Sequence, residues 1–326
     1  MRPRITVVVS ATLTVSVLSL LLPLTAGSAG ADQAVPLPIG PPLQESAAAL
    51  AKALTCPATF RRDHEPVLLV HATTETGQRN WATNYGRVLP AMGYDVCTVE
   101  LVDEATGDIQ ASAERTVYAI RAVNARSKQK VQVVGHSQGP LEVRWAIKYW
   151  PDIASKVDDL IGIAAPYHGW RQTDIYCSSA CVPALWQMRM ESKFIGALNG
   201  GNETPGGVSY TSVYTLTDEL VQPFQTAELK GGANITVQDV CPGRVVEHIQ
   251  MVFDAAAYGL VLDALTHPGP ADAGRVDKGL CLMATMPGVS PADLIAGEVD
   301  FWTHAPSKLG EHQVKTEPPL ATYAGA

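Results

Sequence analysis

The chain has 326 residues, of which 46% are hydrophobic and 17% charged; 24 Lys and Arg face 32 Asp and Glu, for a net charge of −8. So acidic and sparsely charged a surface excludes the ordinary nucleic-acid binder and the protein held on anionic membranes by charge. It suits an exported globular protein that handles neutral molecules.

The first residues, Met1-Arg2-Pro3-Arg4, make a short basic start, and an apolar stretch runs from Ile5 to about Ala26. Small residues follow, ending in Ala29-Gly30-Ala31 before Asp32. This layout predicts a secretory signal peptide over residues 1–31. The apolar stretch is long enough to raise an uncleaved membrane anchor as the rival, but Pro23 and the small residues after it favour cleavage. Arg2 and Arg4 leave with the leader, so 22 basic residues face 32 acidic ones and the net charge becomes −10. No later segment is apolar enough to span a bilayer. Residues 32–326 have the length of one large α/β domain or two small ones; with no internal repeat and no clear domain boundary, they read as one.

Residues 32–45 are rich in Pro and Gly and read as irregular chain, and Ser46–Leu54 as a short Ala-rich helix. Val67-Leu68-Leu69-Val70 is apolar without alternation, as a strand buried on both faces of a parallel sheet must be. A polar loop, His71–Gly77, ends it. The pattern then predicts a helix around Trp81–Met92, a strand at Tyr94–Leu101, a helix at Ala111–Arg126 and a buried strand at Val131–Val134. A helix at Leu141–Tyr149 and a strand at Leu160–Ala164 follow. Strands alternating with helices at this spacing imply a doubly wound, mostly parallel sheet flanked by helices. Residues 165–207 are irregular, with a helical piece near Trp186–Leu198, and read as a cap or loop insertion. Val208–Leu216 and Asn234–Val240 read as the last strands, and Ile249–Leu265 as a helix apolar around most of its circumference.

Six cysteines, Cys56, Cys97, Cys177, Cys181, Cys241 and Cys281, lie beyond the leader. An even count in an exported chain reads as disulfides whose pairing the sequence leaves open. Cys177 and Cys181 can close a local loop. No Cys-x-x-Cys or His-x-x-x-His spacing supports zinc, and neither metal nor cofactor is expected.

Chemistry concentrates at Gly135-His136-Ser137-Gln138-Gly139, between a buried strand and a helix. In an α/β-hydrolase fold, a tight strand-to-helix turn of this sequence lifts the serine out of the sheet, and the flanking glycines relieve crowding. A serine hydroxyl needs a base, and in this fold an acid and then a histidine follow the serine in the chain. His64, His71 and His136 precede Ser137, and His168 precedes any plausible acid loop. Of the remaining His248, His267, His304 and His312, His248 follows a strand-like segment by a short loop, where this fold presents its base. The acid belongs at the carboxyl end of a strand between the two. Asp218 satisfies that, with Glu219 as the adjacent rival; Asp152, Asp158 and Asp159 lie beside the preceding helix and read as solvated. An oxyanion site needs the backbone N–H of Gln138 and a donor from the loop at 71–77, from Thr73 or Thr74.

These residues resemble the lipase B family typified by the Candida antarctica enzyme, from about Cys56 to Cys281. The resemblance rests on Leu69-Val70 followed by Thr73–Gly77, on Asn80-Trp81, on Gly93-Tyr94 with Cys97, and on Ser137-Gln138-Gly139. It continues through Ser155–Asp158, Trp186-Gln187, Tyr214 with Thr217-Asp218-Glu219, Val221-Gln222-Pro223, Val240-Cys241 and His248. It implies an α/β-hydrolase fold, a triad of Ser137, Asp218 and His248, oxyanion donors at Thr73 and Gln138, and disulfides Cys56–Cys97 and Cys241–Cys281. Cys177 and Cys181, without a counterpart, are then left to each other. The chain departs from the family in its complete G-x-S-x-G, in His71-Ala72 where Pro-Gly is usual, and near Pro166, where an acidic pocket residue is replaced. The long helix after Cys281 reads as shortened to about Pro291–Gly297, and a C-terminal disulfide is missing. Machinery therefore transfers better than pocket.

The expected function is that of a secreted serine lipase or carboxylesterase working through an acyl-enzyme, with lipid or other esters as partners. The chain is expected to be a monomer in transient contact with a lipid interface. A polyester hydrolase or acyltransferase with the same triad is the alternative. A non-catalytic binding protein on this scaffold predicts a broken triad, and all three positions are filled.

Overall fold

The computed structural model describes residues 39–325; the segment read as a leader, residues 1–31, lies outside them. Seven strands, β1 (Leu54–Thr55), β2 (Val67–Val70), β3 (Val96–Val99), β4 (Val131–His136), β5 (Val157–Ile163), β6 (Ser209–Tyr214) and β7 (Ala233–Thr236), form one sheet in the order β1-β3-β2-β4-β5-β6-β7. Only β1 runs antiparallel, at the edge against β3; every other pairing is parallel. The helices are α1 (Ala47–Lys52), α2 (Gly77–Trp81), α3 (Tyr85–Ala91), α4 (Ile109–Ser127), α5 (Gly139–Tyr149), α6 (Pro151–Ala154), α7 (Thr173–Tyr176), α8 (Pro183–Gln187), α9 (Lys193–Asn199), α10 (Val237–Val240), α11 (Ala255–Thr266) and α12 (Pro291–Leu309). None of them is long and apolar enough to cross a membrane.

Alternate strand residues point to opposite faces, and the core divides accordingly. Leu68, Val70, Val131 and Val133 pack with α4, α5, α8 and α9, whereas Val67, Leu69, Val134, Ile161 and Val213 pack with α3 and α11. Strands β2 and β4 are buried at every residue, which is why their sequences show no alternation. Three disulfides, Cys56–Cys97, Cys177–Cys181 and Cys241–Cys281, account for all six cysteines.

Local capping chemistry overrides several sequence expectations. The helix expected around Trp81–Met92 is two: Thr76 caps α2, and the Asn84 side chain accepts the Tyr85 N–H to start α3. The strand expected over Asn234–Val240 stops at Thr236, which forms a capping box with Asp239 and turns Val237–Val240 into helix. The helical piece near Trp186–Leu198 divides into α8 and α9, the latter capped by Ser192. The apolar stretch Ile249–Leu265 opens as a 3-10 turn over Ile249–Val252 before Asp254 caps α11.

The largest correction concerns the helix after Cys281. It is not shortened to Pro291–Gly297; α12 runs 19 residues, from a Ser290–Asp293 capping box to Leu309. Gly297 does not break it, because the glycine lets α12 approach Phe253, whose ring would lie 2.5 Å from an added Cβ. Pro306 is tolerated three residues before the helix end. Ion pairs clasp the helix to the body, Arg87–Asp293 at 2.9 Å, Arg79–Asp300 at 2.8 Å and Lys308–Glu104 at 2.9 Å, joined by a hydrogen bond between His304 Nε2 and Glu104 at 2.7 Å.

Candidate active site

Strand β4 delivers Ser137 to the carboxyl edge of the sheet. The serine has φ +53°, a left-handed conformation held by its own N–H donating to Ile163 O (2.8 Å) and by the start of α5 two residues later. Such a turn brings strand and helix so close that side chains do not fit beside it. An added Cβ on Gly135 would meet Pro140 at 2.8 Å, and one on Gly139 would meet the Val70 carbonyl oxygen at 2.5 Å. Because that carbonyl belongs to β2 and cannot move independently, Gly139→Ala is expected to cost about 1–3 kcal/mol of stability, read as a lower denaturant midpoint.

His248 stands opposite, at the start of the 3-10 turn. Its Nε2 lies 2.9 Å from Ser137 Oγ and its Nδ1 2.8 Å from Asp218 Oδ2. All three side chains are buried. Asp218 follows β6, and its other oxygen accepts the backbone N–H groups of Leu220 (2.9 Å) and Val221 (2.7 Å), which fixes the carboxylate plane. The rival, Glu219, takes a different place: its carboxylate accepts the backbone N–H of His248 at 2.7 Å. Thr215 and Thr217 hold the approach to the base, both donating to Val246 O. Burial opposes the His248 cation, but the charge and hydrogen bond of Asp218, joined by the charge of Glu219, outweigh it and raise the imidazole above its ordinary pKa.

The loop between β2 and α2 brings Thr73 to the serine. Thr73 Oγ1 donates to Gln138 Oε1 at 2.7 Å. Thr74, at φ +66°, turns its hydroxyl onto Thr73 O, so the two threonines the sequence left as alternatives are not equivalent. Ahead of them, His71 is the first residue of the loop. Burial lowers its pKa to about 4, so it is neutral; one ring nitrogen pairs with Ala72 O (2.9 Å), and the other accepts the Leu101 N–H (3.0 Å). The ring therefore pins the start of the loop to the chain leaving β3. Asn80 Oδ1 adds a second anchor, accepting the Ala72 N–H (2.8 Å).

Ser137 and His248 open into a cavity of about 400 Å³ whose walls are mostly apolar. Trp170, Tyr176, Cys181, Leu185 and Met188, all from the irregular 165–207 segment, form one side, and Phe301, Trp302, Ala305, Pro306 and Leu309 of α12 form another. Ile249, Leu220 and Val221 close it near the base. Of the apolar stretch Ile249–Leu265, Ile249 alone lines the cavity, and α11 packs in the core. Among residues the sequence passed over, Glu142 has its carboxyl oxygen 2.6 Å from Gln138 Nε2, and the His136 ring packs on His248 with centroids 5.3 Å apart. A glutamate inside a helix reads as solvated, and nothing local marks it otherwise.

A mostly parallel seven-stranded sheet, a strand-to-helix turn with a left-handed serine and an acid and histidine on the loops after later strands define an α/β-hydrolase. The chain belongs to the class 2 lipases, a family of ester hydrolases whose model matches residues 64–258. It is 29% identical to lipase B of Pseudozyma antarctica over 304 residues, 88% of either chain. The crystal structure of Aspergillus fumigatus lipase B superposes with a TM-score of 0.83 at 30% identity, covering 90% of this chain and 75% of that one. A Bacillus licheniformis lipase in its propeptide form shares the fold alone, at 14% identity and a TM-score of 0.53 over 67% of this chain and 54% of that one.

Proposed function

We propose that the protein is a secreted serine lipase or carboxylesterase that cleaves carboxylic esters through an acyl-enzyme. The observation that carries this reading is the continuous hydrogen-bonded chain from Ser137 through His248 to Asp218 at the floor of an apolar cavity. In it, Ser137 Oγ attacks the ester carbonyl while His248 Nε2 takes the proton, and Asp218 holds the tautomer and stabilises the imidazolium. The imidazolium then protonates the departing alcohol. Water, activated by the same ring, releases the acid. The backbone N–H groups of Thr73 and Gln138 donate to no other group among the described residues, which leaves them for the tetrahedral oxyanion.

Apolar walls favour an acyl or other hydrocarbon moiety over a charged one. Ile175, Tyr176 and Trp302, about half exposed or more, suit transient contact with a lipid interface. The signal-like residues 1–31 and three disulfides support export. Hydrolysis of polyesters and acyl transfer to an alcohol would use the same triad. A series of p-nitrophenyl esters of rising chain length, with mass detection of a fluorophosphonate adduct on Ser137, tests the reading. A wild-type protein that neither turns over any ester nor takes the label would overturn it.

The pH profile follows from His248. The base works only when neutral, and its pKa is raised, so kcat/KM is expected to fall as pH drops through a value above about 6.5, roughly tenfold per unit below it. For stability the sign reverses. A raised histidine contributes to the fold below its unfolded value, and that contribution is lost as pH rises through the folded one. Rates and denaturant midpoints between pH 4 and 9 check both.

A further inference from the structure

Helix α5 carries an acid where a core helix facing a sheet has no ordinary use for one. Glu142 lies one turn after Gln138, so the two side chains stand on the same helix face. It is fully buried. Its Oε1 accepts from Gln138 Nε2 at 2.6 Å, and Gln138 Oε1 in turn accepts from the Thr73 hydroxyl at 2.7 Å. Its other oxygen has no hydrogen-bond partner among the described residues. Thus a relay of three side chains joins the loop after β2 to the first turn of α5. The two backbone groups assigned above to the oxyanion belong to its end, Thr73, and its middle, Gln138.

We propose that Glu142 is a positioning residue of the oxyanion site: by gripping the Gln138 amide, it holds Thr73 at a fixed distance from the Gln138 backbone N–H. This rests on the acyl-transfer reading of Ser137. The loop needs such a grip because its other anchors, His71 and Asn80, act on Ala72, while among the described residues the Thr73 side chain is held only through Gln138. Glu142 works as a neutral acid, since burial raises its pKa well above the ordinary range. A neutral carboxyl offers the amide N–H a carbonyl oxygen without placing an uncompensated negative charge beneath a site that must stabilise another. The group touches no substrate. Its effect is on the spacing of two donors, and that spacing matters when the carbonyl carbon becomes tetrahedral and its oxygen an oxyanion rather than when substrate binds.

The relay predicts a particular pattern in p-nitrophenyl butyrate kinetics. Glu142→Gln keeps an uncharged partner for the amide and should retain kcat within about threefold; Glu142→Met removes it and should lower kcat about tenfold or more with KM unchanged. Wild-type kcat in Glu142→Met would overturn the proposal, as would an equal loss in Glu142→Gln. Should Glu142→Met not fold, Gln138→Met interrupts the same relay from its centre while keeping the backbone N–H, and must show the same loss of kcat at constant KM; a wild-type kcat there overturns the relay equally. The acyl-transfer reading fails separately, through a wild-type protein without activity or label.

Discussion

Ser137→Ala is expected to abolish ester hydrolysis, lowering kcat by at least about 10⁴-fold while leaving the fold and its denaturant midpoint near wild type. The size of the effect comes from the role: without the hydroxyl there is no acyl-enzyme, and only the donors and the cavity remain to favour attack by water. The mild structural cost comes from the position. Alanine accepts the φ of +53° about as readily as serine does, and the link from the residue 137 N–H to Ile163 O is retained because it is a backbone bond. Fluorophosphonate labelling gives the complementary reading, stoichiometric in wild type and absent in the variant. Equal labelling of both proteins would place the nucleophile elsewhere.

Asp218→Asn should be almost as damaging, with kcat down about 10⁴-fold at near-normal stability. One carboxylate oxygen takes the Leu220 and Val221 N–H groups, and the asparagine carbonyl can continue to accept them. The other faces His248 Nδ1 at 2.8 Å, and there the substitution places an NH₂ group. Facing a donor, the imidazole keeps its proton on Nε2, where it should accept from Ser137. Glu219 cannot take over, because its carboxylate is engaged with the His248 backbone N–H. Steady-state kinetics with a thermal melt decide the matter; activity within tenfold of wild type would remove Asp218 from the role.

How far the sequence shows these features depends on whether each rests on local or distant contacts. The turn at Ser137 is legible because β4 is a buried, mostly apolar run and a glycine stands two residues to either side of the serine; Gly135 answers the nearby Pro140, while the Val70 carbonyl that Gly139 answers is distant in the chain. Asp218 and His248 are legible by order along the chain and by position after strand-like segments. The extent of α12 is not. Gly297 and Pro306 look like breakers in sequence, and only the ring of Phe253 shows why the glycine belongs inside the helix. Glu142 is hidden for the same reason, since its burial is decided by the packing of α5 between sheet and neighbouring helices. The strand expected through Val240 fails at Thr236 because the capping box of Thr236 and Asp239 starts a helix there, against the strand preference of Val237 and Val240.

The left-handed serine also bears on how the protein comes to be active. An isolated peptide of this sequence gains nothing by holding Ser137 at φ +53°; the conformation pays only where β4 lies between β2 and β5 and α5 has docked against the Val70 carbonyl. A partly folded chain, even one with its helices and some strands in place, therefore has no nucleophile to offer. Turnover is for that reason a sharper reporter of completed assembly than helix content.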